Sequence, residues 1–202
     1  DAGYHASAFD IDNRAIKPVE NKTTVREDVI RADKLVIAKG SVEKGLVAQY
    51  ELLTDKLTGR LVITQNMFTT ALEELEKTAA PETTREIVEA VGQLIVALWD
   101  NGVYLRPVSG SKGNILSDIA IVRNADGSIA AKVIDFANLS EVKGNEGQAK
   151  EALSNLQARV KEGFTEIKGI NAEILSRIFN NIAAIDMPEA PVAREAFKVL
   201  DT

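Results

Sequence analysis

The chain has 202 residues, 45% of them apolar and 27% charged, enough for one domain with a real core or for two small lobes sharing a cleft. Thirty acidic against 24 basic residues leave a net charge of −6 without a lysine or arginine block, which argues against nucleic acid as a partner. The absence of cysteine excludes disulfides, thiolate metal sites and a cysteine nucleophile, and the apolar runs fall short of a membrane span.

Residues 1–30 mix Gly3, Asn13, Pro18 and Asn21 with scattered charges and read as a tail or wrapping segment. The single histidine, His5, falls there, which argues against histidine acid–base catalysis. Starting on Asp1, the chain is expected to be processed or trimmed, with no signal peptide left in it. Cytoplasmic and secreted locations both fit, and the oligomeric state is not readable.

Residues 31–80 read as a small β-rich lobe with one helix. Three short β-like runs at 35–38, 46–53 and 60–64 predict an antiparallel meander across 34–66. The links are Lys39-Gly40-Ser41-Val42-Glu43-Lys44-Gly45 and Thr54-Asp55-Lys56-Leu57-Thr58-Gly59, which carry turn residues where a meander needs them. Leu72, Leu75 and Ala79 predict a helix over 68–79, ended by Pro81.

Residues 81–202 read as a mainly helical lobe. Thr83 or Thr84 offers an N-cap for a helix over 82–100, with Ile87, Val91, Leu94, Ile95 and Leu98 as one apolar stripe up to Trp99 and Asn101-Gly102 as the stop. Runs at 119–122 and 129–134 flank Arg123-Asn124-Ala125-Asp126-Gly127-Ser128, a hairpin signal because Gly supplies the positive φ such turns need. A loop at 141–148 and amphipathic stretches at 149–160, 171–185 and 192–200 complete the chain. The fold class is α+β: a small antiparallel N-terminal sheet, then a mainly helical lobe with one β-hairpin at 119–134.

Two segments carry chemistry: Gly113-Asn114-Ile115-Leu116 and Lys132-Val133-Ile134-Asp135-Phe136. The hairpin would bring the Asn114 amide to the Asp135 carboxylate, and hard oxygen ligands of this kind suit magnesium held against phosphates. The alternative is that Asn114 caps a turn and Asp135 ends a strand. Ser109-Gly110-Ser111 has the look of a nucleophilic serine loop, yet no histidine is available to activate it. Trp99, Phe136, Phe164 and Phe179 are expected as core or interface anchors.

Across about residues 35–139 this order of elements resembles the eukaryotic-type protein kinase fold, in texture the abbreviated kinase domains of bacterial effector proteins. The resemblance implies that Gly40, Ser41, Lys44 and Gly45 belong to a glycine-rich loop over ATP phosphates, that Arg60-Leu61-Val62-Ile63-Thr64 is the strand whose family motif is Val-Ala-Ile-Lys, and that Asn114 and Asp135 hold magnesium. Asp135-Phe136-Ala137 then stands for Asp-Phe-Gly. Thr64 replaces the phosphate-binding lysine and Ser109 the catalytic aspartate, so Ser109 and Asp135 are the catalytic positions and ordinary phosphotransfer is not expected. Lys39, Lys44 or Lys56 could take over the phosphate contact, Asp100 or Asp118 the role of base, and Glu73, Glu74 or Glu76 the pairing with a lysine. The implied function is a degenerate kinase-like domain, a pseudokinase or an altered nucleotide-dependent transferase using ATP and Mg2+, acting as an effector-type protein with a protein partner. The second reading is a non-enzymatic secreted or effector-type protein–protein interaction domain.

Overall fold

The computed structural model describes residues 14–78, 80–106, 114–142, 146–165, 167 and 176. It is an α+β fold. In chain order the elements are β1 (Arg14–Pro18), α1 (Thr23–Ala38), β2 (Tyr50–Thr54), β3 (Leu61–Asn66), α2 (Ala71–Lys77), α3 (Pro81–Asp100), β4 (Val103–Leu105), β5 (Ile119–Arg123), β6 (Ile129–Val133), β7 (Leu139–Glu141) and α4 (Glu146–Thr165). Single 3-10 turns at Ile115–Asp118 and Phe136–Asn138 flank the β5–β6 hairpin.

The N-terminal sheet is antiparallel in the order β1-β3-β2, with Lys17 opposite Ile63 and Ile63 opposite Leu52. Its membership differs from the expected meander. The run at 35–38 is the last turn of α1, because Val29, Ala32 and Val36 continue one buried stripe at helical spacing into it. The place of the missing strand is taken by β1, so residues 14–30, expected as a tail, form a strand and the first half of a helix.

Partial alternation at 46–53 also has a cause. Residues 46–48 bond to the end of β6, through Val133 N to Leu46 O (2.9 Å) and Ala48 N to Val133 O (2.8 Å), before the chain enters β2. The same run therefore serves two sheets. The β2–β3 turn is as expected: Gly59 has φ of 67°, and the Asp55 carboxylate accepts from Leu57 N and Thr58 Oγ1.

Helix α2 opens on a capping box, in which Thr70 Oγ1 accepts from Glu73 N and Glu73 accepts from Thr70 N. It ends at Lys77, so Pro81 does not terminate it but stands at the first position of α3, where its missing N–H costs nothing. Thr83 and Thr84 consequently lie inside the first turn rather than at the cap. Ile87, Val91, Leu94, Ile95, Leu98 and Trp99 are all buried, and α3 packs against β6.

The hairpin pairs Ile119 with Val133 through Arg123 with Ile129, closed by a turn in which Gly127 has φ of 84° and Asp126 accepts from Ser128 N and Oγ. Helix α4 includes the stretch expected at 149–160 and buries Leu153, Leu156, Val160 and Phe164. The stretches at 171–185, apart from Ser176, and at 192–200, and the site positions Ser109 and Gly113, lie outside the described residues. Among the described residues no helix is long and apolar enough to cross a membrane.

Candidate functional site

The site forms where β1, β3 and the residues after β6 meet. Asp135 leaves the hairpin between Ile134 and the turn Phe136–Asn138, its backbone held by two N–H groups, of Ile134 (2.9 Å) and Asp135 (3.4 Å), donating to the Asp118 carbonyl. Phe136 is buried and stacks on Tyr50 with ring centroids 4.0 Å apart, and the Tyr50 hydroxyl donates to Asp33 of α1 at 2.7 Å. Burial, then the Asp33 carboxylate, holds the Tyr50 phenol above its usual range. Asp33, Tyr50 and Phe136 thereby fix the segment behind Asp135 against helix and sheet.

Two cations act on this carboxylate through their charge. Lys17 does so from β1, on the sheet face shared with Ala15, Ile63 and Gln65. Arg159 does so from α4, where it is bonded to Asp118. Burial raises the Asp135 carboxyl above its ordinary range, and Lys17, the Ala137 backbone N–H and Arg159 pull against that rise. The residue nonetheless keeps a partly open face.

Asp118 has the opposite setting. Its Oδ2 accepts from Arg159 Nη2 at 3.0 Å and from Asn138 Nδ2 at 3.1 Å, and Arg159 Nη1 donates to the Arg106 carbonyl at 2.9 Å. Burial and the neighbouring Asp135 charge push its carboxyl up to about 6, against the pull of Arg159. Buried and bonded twice through Oδ2, Asp118 is a structural anchor rather than an open base. Arg106 also pairs with Asp28 of α1 at 2.9 Å; burial raises the Asp28 carboxyl, but Arg106 and Arg31 outweigh it and the net shift is downward.

The expected partner of Asp135 is differently employed. Asn114 Oδ1 accepts from Leu116 N at 3.0 Å, and its Nδ2 donates to the Gly163 carbonyl of α4 at 2.9 Å. That is the turn-cap arrangement, with both ends of the amide engaged. Among the described residues no group of three or more carboxylates or histidines could hold a metal ion, so of the expected pair only the Asp135 carboxylate would be available to one.

The glycine-bracketed turn is a correction. Gly40, Ser41, Lys44 and Gly45 do not join two strands; they end α1. Gly40, at φ of 59°, donates to Ile37 O, Ser41 N donates to Val36 O, and the amides of Lys44, Gly45, Leu46 and Val47 all donate within the turn. Ser41 is fully buried and its Oγ accepts from Asn101 Nδ2, while Lys44 Nζ donates to Asn101 Oδ1. The Gly40 and Ser41 amides cap the helix, the later amides close the turn on itself, and the turn is fastened to the end of α3.

Other candidates are similarly occupied. Thr64 lies on the opposite sheet face from Lys17, accepting from Arg14 Nη2 at 2.9 Å beside Glu51. Lys39 pairs with Glu141, Glu73 caps α2 and Glu74 pairs with Arg123. Asp100 and Glu76 are exposed.

Lys17, Gln65 and Arg159 are the residues that sequence reasoning missed. The β-branched Ile16 in a short extended run before Pro18 was the available signal for β1; nothing local marks Gln65 or Arg159, which act through partners far along the chain. The chain matches no protein-family model, and among curated proteins no sequence matches it significantly.

Proposed function

We propose that this chain is a kinase-like nucleotide-binding domain whose catalytic loop is degenerate, with Lys17 and Asp135 at the phosphate end of an ATP–magnesium site. The observation that carries the reading is that Gln65 bonds both the Lys17 ammonium and the Ile134 carbonyl, which places the lysine beside the segment that carries Asp135. The tetrapeptide Arg14-Ala15-Ile16-Lys17 keeps the last three residues of Val-Ala-Ile-Lys, and it precedes a helix as that motif does in kinases. The substitution at Thr64 then ceases to be a departure, because the resemblance starts two strands earlier. Strands β2 and β3 follow the helix, and Asn66-Met67-Phe68 link the sheet to the helical lobe.

In this reading the Lys17 ammonium binds phosphate oxygens and the Asp135 carboxylate holds magnesium, which when bound neutralises phosphate charge. Of the three acids of α1, Asp28 is taken by Arg106, Asp33 by Tyr50, and Glu27 is exposed, so none is bonded to Lys17. With Ser109 where the resemblance has the catalytic aspartate, nothing at that position accepts the hydroxyl proton, so transfer is slow or absent and the role is that of a nucleotide-responsive, effector-type binding protein.

Thermal unfolding with and without ATP and magnesium tests this. A ligand present at about 100 times its Kd stabilises the native state by about 2.7 kcal/mol, which raises the melting temperature by several degrees. Lys17→Met and Asp135→Asn should each remove that rise while the unliganded protein still folds. A wild-type protein that ignores saturating nucleotide and metal would leave the interaction-domain reading in its place.

A further inference from the structure

Gln65 is 3% exposed on the central strand β3, and a buried amide is tolerable only when both its ends are bonded. Both are. With its amide oriented to satisfy its neighbours, Oε1 accepts from Lys17 Nζ at 3.1 Å and Nε2 donates to the Ile134 carbonyl at 3.0 Å. Ile134 is the residue before Asp135. One side chain thus ties the ammonium to the backbone that carries the carboxylate, although the two lie far apart in the chain.

We infer that Gln65 is a positioning residue that fixes the Lys17 ammonium beside the backbone leading into Asp135 and so sets this site for the phosphate groups of a nucleotide. The inference rests on the nucleotide reading for its ligand, and on geometry for the rest. The partner that Gln65 gives Lys17 is neutral. It orients the ammonium without cancelling its charge, leaving it able to attract phosphate oxygens, whereas Arg159 is bonded to Asp118 and to the Arg106 carbonyl. Gln65 bonds only to lysine and backbone, so its effect should fall on the phosphate part of a ligand and spare the nucleoside.

The test compares wild type, Gln65→Met, which removes both bonds at similar volume, and Gln65→Glu, which keeps an acceptor for the ammonium. Calorimetry measures affinity for magnesium–ADP and for adenosine, and mass spectrometry follows acetylation of the Lys17 amine, all well below the melting temperature. Gln65→Met should weaken magnesium–ADP by about tenfold, the size expected for loss of a charge-assisted contact, and leave adenosine unchanged. Its Lys17 should acetylate several-fold faster, because an amine released from the Gln65 acceptor is freer to meet the reagent; Gln65→Glu, which keeps an acceptor, should restore the slow rate. Equal loss of both ligands marks general damage to the cleft and overturns the inference, as does an unchanged acetylation rate. If wild type binds no magnesium–ADP, the nucleotide reading falls, and the acetylation rates still decide whether Gln65 holds Lys17.

Discussion

Asp118 gives the protein a stability profile opposite to that of most carboxylates. Its carboxyl, at 3.8 when unperturbed, is pushed up to about 6 by burial and by Asp135. The folded chain holds this proton more tightly than the unfolded chain does, so the associated stability is fully present below about pH 4 and is lost as pH rises through 6. At 1.36 kcal/mol per pH unit the shift amounts to about 3 kcal/mol, of which about half is lost between pH 5 and pH 8. Asp135, raised for the same reason, adds in the same direction. Asp28, Asp55 and Asp126 are held low and act only in more acid solution. Urea unfolding at pH 5, 6, 7 and 8 should show wild type losing about 1.5 kcal/mol relative to Asp118→Asn across that range, since the amide cannot titrate and groups not coupled to Asp118 contribute equally to both proteins. Parallel curves for the two proteins would refute the account of this buried cluster.

Three further substitutions probe the frame. Leu94→Ala, at a buried position on the core face of α3, should lose about 2–5 kcal/mol in denaturant unfolding. Gly163→Ala should destabilise although alanine gains about 1 kcal/mol in a helix interior, because the new Cβ would lie 2.6 Å from Asn114 Oδ1 and 2.9 Å from Ile115 Cγ2; a rise in melting temperature would show that this contact yields. Asn114→Ala should lower unliganded stability by about 1–3 kcal/mol, through the unpaired Gly163 carbonyl and Leu116 amide, and leave any nucleotide-induced shift in place.

What the sequence made legible was local. The hairpin was written in Asp126-Gly127 and its flanking runs, and α3 in a stripe of five apolar residues. Glycines bracketing residues 40–45 were ambiguous in principle, since a positive φ serves a strand-connecting loop and a helix C-cap equally; what decides is the stripe Val29, Ala32, Val36 arriving from the N-terminal side. The position of Asp135 was legible because it follows a recognisable strand. Its surroundings were not, since Lys17, Gln65 and Arg159 come near its segment through tertiary packing that leaves no local pattern.

Lys17 is the sharpest case, because everything proposed for it depends on strand register. Alternate residues of β1 face opposite sides of the sheet, so a slip of one residue against β3 would turn Lys17 away from Asp135. A five-residue edge strand ending in Pro18 carries little hydrophobic patterning with which to prevent that slip. The restraint lies on the other face. Arg14 Nη2 bonds to Thr64 Oγ1 of β3 at 2.9 Å and pairs with Glu51 of β2 at 3.1 Å, spanning all three strands at once. Slipping β1 by one residue would move Arg14 off both partners. The exposed pair is worth little as a source of stability, yet the same slip also breaks the Lys17–Gln65 bond and carries Ala15 off the buried face, so the correct register is favoured by several small terms acting together. Thr64, taken from the sequence as the mark of a lost lysine, thus helps to hold the lysine two strands upstream in place.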